Sequence, residues 1–324
     1  MKSETKGVKM KEKLLVIVGP TAVGKTKMGI ELAKRLKGEI ISGDSMQIYK
    51  EMDIGTAKVT KEEMNGVMHH LIDIKEPTEP FSVAEFQNLV QPLIRLLNEK
   101  GKLPLIVGGT GLYINSVIQN YNFADSSSDI QFREKMERYV EEHDTEQLHD
   151  QLREIDPVSY ATIHPNNYRR VIRALEVFKR TGKTLSEYQQ SQNNESPYDF
   201  VLIGLTMDRD VLYDRINKRV DIMVEQGLFE EAKRLYNDGV RECQSVQAIG
   251  YKEIYEYIEG KLTKDEAIEL LKRNSRRYAK RQYTWFRNKA NVHWFDMTNI
   301  NFNKKITEIQ QFIEGKLYNH SEIK

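Results

Sequence analysis

Cysteine is almost absent from this chain. The single Cys243 excludes an internal disulfide and fits a reducing compartment. Long apolar runs are missing as well. No stretch approaches the roughly 20 residues that span a bilayer. Residues 1–13 are polar and Lys-rich, without the apolar segment of a secretory signal. Residues 1–12 are expected to form a disordered tail. Net charge is nearly absent too, since 49 Lys and Arg against 48 Asp and Glu leave +1. That excludes a global attraction for nucleic acid, so any such surface must come from local clustering. No internal repeat is present. The expectation is a soluble cytoplasmic monomer with no membrane partner. Its 324 residues suffice for a large core and for two domains.

What is present starts with Gly19-Pro20-Thr21-Ala22-Val23-Gly24-Lys25-Thr26, which fits G-x-x-x-x-G-K-[ST]. An apolar run, residues 14–18, precedes it and reads as a buried strand. Residues 27–36 follow, with Met28, Leu32 and Leu36 at helical spacing. This is the setting a phosphate loop requires. The glycines let the backbone turn tightly, so successive N–H groups can face one anion. The helix start adds its positive end. Lys25 supplies a full charge, and the Thr26 hydroxyl can ligand a magnesium ion held on the phosphates. The loop implies a bound polyphosphate without saying which molecule carries it.

Residues 39–42 read as a second strand, running into Gly43-Asp44-Ser45-Met46-Gln47. Ligands in open α/β sheets sit at the carboxyl ends of strands, which places Asp44 near the phosphates. Asp44 can be a magnesium partner, a general base, or simply a cap or turn former. Residues 68–74 read as a strand led by His69 and His70, which face opposite ways. No Cys or second His pair is spaced to complete a zinc site. Ser82 is a candidate N-cap for a helix to about residue 100, with Phe86, Leu89, Leu93 and Leu97 on one face. Residues 103–107 form another buried strand, ending in Gly108-Gly109-Thr110-Gly111. Many kinases and ATPases would have an aspartate there for magnesium. The glycines permit close backbone approach to a ligand. Thr110 either caps the next helix or presents its hydroxyl.

Polar residues 122–129 and 191–196 bracket a helical insertion, residues 125–197, between a first core segment, 13–124, and a return segment, 198–324. Within the insertion Phe132, Met136 and Val140 make one stripe, and Asp144 with Gln147 resembles a capping box. Asp156-Pro157 starts a further segment. Val171, Leu175 and Phe178 make a second stripe, with Arg169 and Arg173 opposite it and Arg170 to the side. These arginines fit a solvated face or nucleic-acid phosphates. Residues 200–203 return as a strand. Arg215 and Arg219, one turn apart, can reach one ligand. Between residues 272 and 289 stand Lys272, Arg273, Arg276, Arg277, Lys280, Arg281, Arg287 and Lys289 with no acid among them. Tyr278, Tyr283, Trp285 and Phe286 are interleaved. A solvated cationic face is the plain reading, and contact with nucleic acid or polyphosphate the sharper one.

Four motifs thus occur in order: residues 19–26, Asp-Ser-Met-Gln-Ile-Tyr (44–49), Gly-Gly-Thr-Gly-Leu-Tyr (108–113) and Ala-Lys-Arg-Gln-Tyr-Thr-Trp-Phe-Arg (279–287). With Arg-Arg-Val-Ile-Arg-Ala-Leu-Glu (169–176) and Ala-Ile-Gly-Tyr (248–251), the set resembles bacterial tRNA dimethylallyltransferases, also called tRNA isopentenyltransferases, over residues 13–297. The resemblance implies an α/β fold: a P-loop NTPase-like, nucleoside-kinase-like parallel sheet core with a helical insertion that grips the tRNA anticodon stem-loop, followed by basic C-terminal helices. It implies transfer of a dimethylallyl group from dimethylallyl diphosphate to the exocyclic amine of an adenosine beside the anticodon. Asp44 matches the family's general base and Thr110 its catalytic threonine. Residues 19–26 with Arg215 or Arg219 would hold diphosphate, and Thr26 the magnesium ion, Mg2+. Asp44, Ser45, Met46, Gln47, Arg133, Arg169, Arg170, Val171, Ile172 and Arg173 would touch tRNA, together with Arg276, Arg277, Lys280 and Arg281 of the late basic cluster. The rival readings are an ATP-using small-molecule kinase and a nucleotide-gated RNA-binding module without bond chemistry.

Overall fold

Residues 14–18 are apolar without alternation, a pattern suited to a strand covered on both faces. In the computed structural model, which describes residues 11–123, 129–190 and 195–318, this run is the inner part of β1 (Glu12–Val18). Leu14, Val16 and Val18 enter the core on one side of the sheet, and Leu15 and Ile17 the core on the other. The other strands are β2 (Gly38–Gly43), β3 (His69–His70), β4 (Leu103–Gly108), β5 (Tyr198–Thr206) and β6 (His293–Asp296). Among the described residues they form one sheet, in the order β3–β2–β4–β1–β5–β6, with every neighbouring pair parallel. This is the expected α/β core. The carboxyl ends of β1, β2 and β4 lie side by side, where such sheets bind ligands. Gly43 is paired with Gly108 there, and a Cβ on Gly108 would stand 2.2 Å from the Gly43 carbonyl oxygen. Glycine at 108 therefore serves the approach of two strands rather than of a ligand.

Three local expectations need correction. The strand foreseen over 68–74 shrinks to two residues. Leu71 and Asp73 adopt left-handed φ of 62° and 55°, which turns the chain away. The amides of Asp73 and Ile74 then donate to the carbonyls of Gln47 and Ile48. The helix Val83–Glu99 is capped by Ser82, whose side chain accepts from Glu85 N at 3.1 Å. Its buried face is Phe86, Val90, Ile94 and Leu97, while Leu89 is exposed. Asp144 accepts from Glu146 N at 3.2 Å in place of a capping box with Gln147.

The chain divides into two compact units, one made of residues 1–118 and 196–324, the other Gln119–Glu195. Parts of the tail and of both expected linkers (1–10, 124–128 and 191–194) lie outside the described residues. The smaller unit gathers short helices and the longer Ile130–Glu142 and Tyr168–Thr181 around Met136, Leu148, Leu152, Val171 and Leu175. Asp156, buried at its centre, accepts from the amides and hydroxyls of both Ser159 and Ser186. Those bonds hold its carboxyl below the usual value against the opposing pull of burial.

Candidate active site

The loop after β1 is shaped by backbone conformation. Gly24, at the N-cap of the helix Lys25–Arg35, has φ 107°, which disfavours a side chain. Ala22 also stands at left-handed φ, 65°. A non-glycine residue there costs about 1–2 kcal/mol, a strain that concentrates at functional sites. No side chain caps this helix, and its first turn carries no acid. Its leading amides are free to meet an anion. Lys25 Nζ lies across the loop and donates to the Pro20 carbonyl at 2.8 Å.

Two cavities open beside this loop. The larger, about 940 Å³, is lined by Gly24, Lys25, Thr26, Arg215 and Arg219 among others. The smaller, about 250 Å³, has Asp44, Ser45, Met46, Tyr278 and Arg281 on one part of its wall. Apolar Ile216, Val220, Leu228 and Leu271 supply another part. Ala22, Ala57, Arg219 and Met223 line both cavities, so the two adjoin across a thin partition. The choice left open between the two arginines is narrowed by this. Arg219 stands in the partition, while Arg215 is exposed and borders only the larger cavity.

Asp44 Oδ1 accepts from Met46 N at 2.8 Å, the hydrogen bond of a turn former. No protein donor is bonded to its second oxygen among the described residues. The side chain thus combines the structural reading with a free carboxylate edge in the smaller cavity. Gln47 is spent differently. Its amide donates to the carbonyls of Thr56 and Ala57 at 3.4 and 3.3 Å and lines neither cavity. Thr110 stands just behind the wall. Its hydroxyl accepts from Ser45 N at 3.2 Å and interacts with Tyr278, so it is turned to the neighbouring loop rather than to the amides of the helix that follows.

The helix Lys264–Lys289 resolves the late basic cluster into two faces. Tyr278, Ala279, Gln282 and Phe286 turn inward at helical spacing, and Phe286 is in the core. Trp285 covers Gly111, and a Cβ there would stand 2.3 Å from the indole. The Tyr283 hydroxyl is bonded by Thr206. Tyr283, Trp285 and Phe286 therefore pack the helix against the rest of the unit, while Tyr278 lines the smaller cavity. Lys272 pairs with Asp221 at 2.7 Å, and Arg276 donates to Asn217 at 2.6 Å. Arg281 borders the smaller cavity. Arg273, Arg277 and Lys280 remain on the exposed face.

Sequence reasoning gave no sign of the buried Glu231. Its carboxylate accepts from Asp53 N, Ile54 N and Gly55 N at 2.9–3.1 Å and from the Tyr251 hydroxyl at 2.6 Å. It thereby fixes the loop that walls both cavities. Lys58, which follows that loop, is locked by Asp53, Asp73 and the Tyr49 carbonyl. Charges in the site act on one another. Burial pushes the Lys25 ammonium down to about 8, with Asp44 opposing and Arg219 adding to the fall. Burial likewise lowers Arg219, again opposed by Asp44. The Tyr278 hydroxyl is pushed up to about 12 by burial and then by Asp44.

The family model for IPP transferases matches residues 47–289. The chain belongs to the IPP transferase family. Its length agrees with that of its relatives. It is 64% identical to the tRNA dimethylallyltransferase of Halalkalibacterium halodurans over 314 residues, 97% of this chain and 100% of that one. It is 62% identical to that of Bacillus cytotoxicus over 309 residues, 95% of this chain and 97% of the relative. The crystal structure of a full-length tRNA isopentenylpyrophosphate transferase from Bacillus halodurans superposes with a TM-score of 0.75 at 63% identity, covering 97% and 99% of the two chains. A eukaryotic dimethylallyltransferase acting on tRNA gives 0.77 at 29% identity, covering 96% of this chain and 78% of that one.

In this IPP transferase the smaller unit treats its candidate residues unequally. Arg169 and Arg170 are exposed. Val171 and Ile172 are not surface residues at all, being 0% and 3% exposed in the unit's core. Their side chains pack within that core rather than on its surface. Phe178 is exposed in their stead, and Glu176 is buried. Arg133 grips Glu176 with Nε and Nη2, both at 2.9 Å, and Arg173 adds a 2.5 Å bond. These pairs hold the Glu176 carboxyl below its usual value although burial pulls the other way. Among the described residues no His, Cys, Asp and Glu gather in threes to hold a metal. His70 instead bonds Glu39 at 2.7 Å, and His69 the Val67 carbonyl.

Proposed function

We infer that this chain transfers a dimethylallyl group from dimethylallyl diphosphate to the exocyclic amine of the adenosine 3′-adjacent to the anticodon in tRNA, releasing diphosphate. The observation that carries this reading is the pair of adjoining cavities. One has a phosphate loop and an arginine, and the other has apolar walls and a carboxylate. A small-molecule kinase fits less well, because β4 runs into Gly108-Gly109-Thr110 where a magnesium-holding aspartate would stand.

The amides of residues 22–26, Lys25 and Arg219 would hold the diphosphate, and the allyl group would lie against Val220, Met223 and Leu271. As the nitrogen–carbon bond forms, the allylic carbon–oxygen bond breaks and the electron pair leaves with diphosphate. Fixed positive groups that receive this charge lower the barrier. Asp44 orients the amine and accepts its proton. Thr110 sets the position of Ser45 and Tyr278 and can donate toward the bridging oxygen. The acceptor base must leave its stack to reach Asp44. Ser45, Met46 and Arg281 line its way, while Arg169, Arg170, Arg273, Arg277 and Lys280 meet RNA phosphates. Arg133 ties its helix to the one that carries Glu176, Arg276 ties its helix to the one that carries Asn217, and Arg173 pairs with Glu176 within one helix.

Magnesium fits the residues present. It favours phosphate oxygens and water with few protein ligands, and the exposed Thr26 hydroxyl offers one at the larger cavity. When bound, the ion would add positive charge to the departing diphosphate. We place the reaction in the cytoplasm and assign it to a monomer. An anticodon stem-loop oligonucleotide tests the reading. It should accept a prenyl group, and a version with guanosine at the target position should not. Equal labelling of both would contradict the assignment.

Two further outcomes are expected. Lys25 is lowered to about 8 in the free protein, and bound diphosphate must raise it by favouring the charged form. Donor affinity should therefore be full below about pH 8. It should then fall as pH rises, by up to about tenfold per unit. Calorimetric titration from about pH 7 to about pH 9.5 checks this. A flat profile would remove Lys25 from the donor site. Secondly, replacing Arg273, Arg277 and Lys280 together by Gln should flatten the salt dependence of tRNA binding. The log–log slope should drop by roughly 0.7–0.9 for each RNA phosphate that is no longer neutralised. An unchanged slope would make this face merely solvated.

A further inference from the structure

Gln282 is buried, 6% exposed, on the inward face of the basic helix. Its Oε1 accepts from Thr21 N in the phosphate loop at 2.8 Å. Its Nε2 donates to the Gly109 carbonyl, beside Thr110, at 3.2 Å. The sheet pairs β1 with β4 only from Leu15–Leu105 to Ile17–Val107. Beyond those residues the ladder no longer holds the two loops together. Gln282 spans that gap. One loop offers it a donor, the half-buried Thr21 N–H, and the other an acceptor, the buried Gly109 carbonyl, which needs a partner. A primary amide at this reach answers both at once, with separate donor and acceptor atoms. Glutamate cannot donate, and a leucine or methionine can do neither. The fit is close as well, since a Cβ on Gly109 would stand 2.0 Å from the amide nitrogen. Glycine at 109 is explained by this side chain rather than by a ligand. Tyr278, one turn earlier, interacts with Thr110 and Gln282.

We propose that Gln282 is a positioning residue for prenyl transfer: its amide bridge sets the spacing between the phosphate loop and the Thr110 loop, and so the alignment of donor and acceptor. The proposal rests on the function inferred above. Gln282 touches no reacting atom. It acts through Thr21 and Gly109, and its helix also carries Arg273, Arg277 and Lys280 on the exposed face. Seating RNA on that face would press the same helix that holds the two loops.

Gln282→Leu removes both bonds at similar volume. Per active site, counted by donor-binding stoichiometry, the single-turnover rate at saturating donor and tRNA should fall at least about tenfold, the worth of alignment. tRNA affinity should stay within about twofold, because the exposed arginines are untouched. A merely structural role would instead reduce the fraction of active protein and leave the rate per site unchanged, which would overturn the proposal. The pair Gly109→Ala with Gln282→Ala separates bonding from filling. The new methyl refills part of the vacated space without either hydrogen bond. The pair should stay as slow as Gln282→Ala alone, and recovery of the rate would show that packing, not the bridge, sets the spacing. Amide exchange at Thr21 in unliganded protein needs no turnover. It should be protected in the parent and fast in Gln282→Leu, and equal protection would overturn the bridge. A parent that transfers no prenyl group would refute the inferred function instead, and the exchange arm would still read the bridge.

Discussion

Asp44→Asn should lower the single-turnover rate by about 10²–10⁴, the usual contribution of a positioned acid or base. The substitution keeps the shape of the site. The Asn carbonyl oxygen can still accept from Met46 N, the 2.8 Å bond that Asp44 Oδ1 makes, so the turn should survive. The edge left facing the cavity is then an NH2 group, a donor that cannot take the proton of an amine. What is lost is the basic carboxylate edge that lines the smaller cavity. Affinities for tRNA and donor should change far less than the rate. Three roles then separate. A magnesium partner would show its loss in donor affinity, partly offset by extra magnesium. A turn former would be replaced at almost no cost, since Asn and Asp serve such positions about equally. A base loses rate at saturating ligands. There is also an electrostatic signature. Asp44 holds the Lys25 ammonium up against burial. Its neutralisation should move the fall of donor affinity to lower pH. A rate within a few-fold of the parent would exclude Asp44 as the base.

Arg219→Gln is expected to reduce kcat/KM for the donor by roughly 10²–10³, comparable to deleting one preorganised donor to a developing anion. Arg219 stands in the partition between the cavities, where charge must build as the carbon–oxygen bond breaks. Burial already lowers its pKa, so its guanidinium is poorly hydrated and available to an anion. Arg219→Lys should recover only part of the loss, because an ammonium lacks the planar fork. Arg215→Gln should remain within about threefold of the parent, as solvent-exposed charges contribute little. The Lys25 profile again reports on the same change, with the opposite sign. Arg219 pushes Lys25 down, so its removal should shift the fall of donor affinity to higher pH. Equal effects at 215 and 219 would contradict this division of labour.

The phosphate loop was legible because its chemistry requires particular residues at fixed spacing, from Gly19 to Thr26. β1, β2, β4 and β5 were legible as apolar runs between turn residues. Strand order was not, because the pairing of β4 between β1 and β2 leaves no local mark. Periodicity located the apolar stripe near Val171 but not its width. Ile172 and Glu176 joined the core, and Phe178 left it. A buried glutamate is invisible from sequence, because Glu176 and Glu231 look like any solvent-facing acid on a helix. Their partners, Arg133 lying 43 residues from Glu176 and Asp53 lying 178 from Glu231, meet them only through tertiary packing. The late basic cluster misled in a similar way. Charge count along the chain cannot tell the exposed Arg277 from Arg276, which is tied to Asn217. The signal that could have helped was the helical spacing of Tyr278, Gln282 and Phe286, which marks an inward face.

Prenyl transfer to tRNA is tested most directly by incubating the purified protein with dimethylallyl diphosphate, magnesium and undermodified tRNA, followed by digestion and mass analysis of the nucleosides. The expected product is one adenosine carrying a five-carbon unit, mapped to the position 3′ of the anticodon, with diphosphate released in equal amount and no need for ATP. Unmodified tRNA, together with ATP-dependent phosphorylation of a small acceptor, would contradict it.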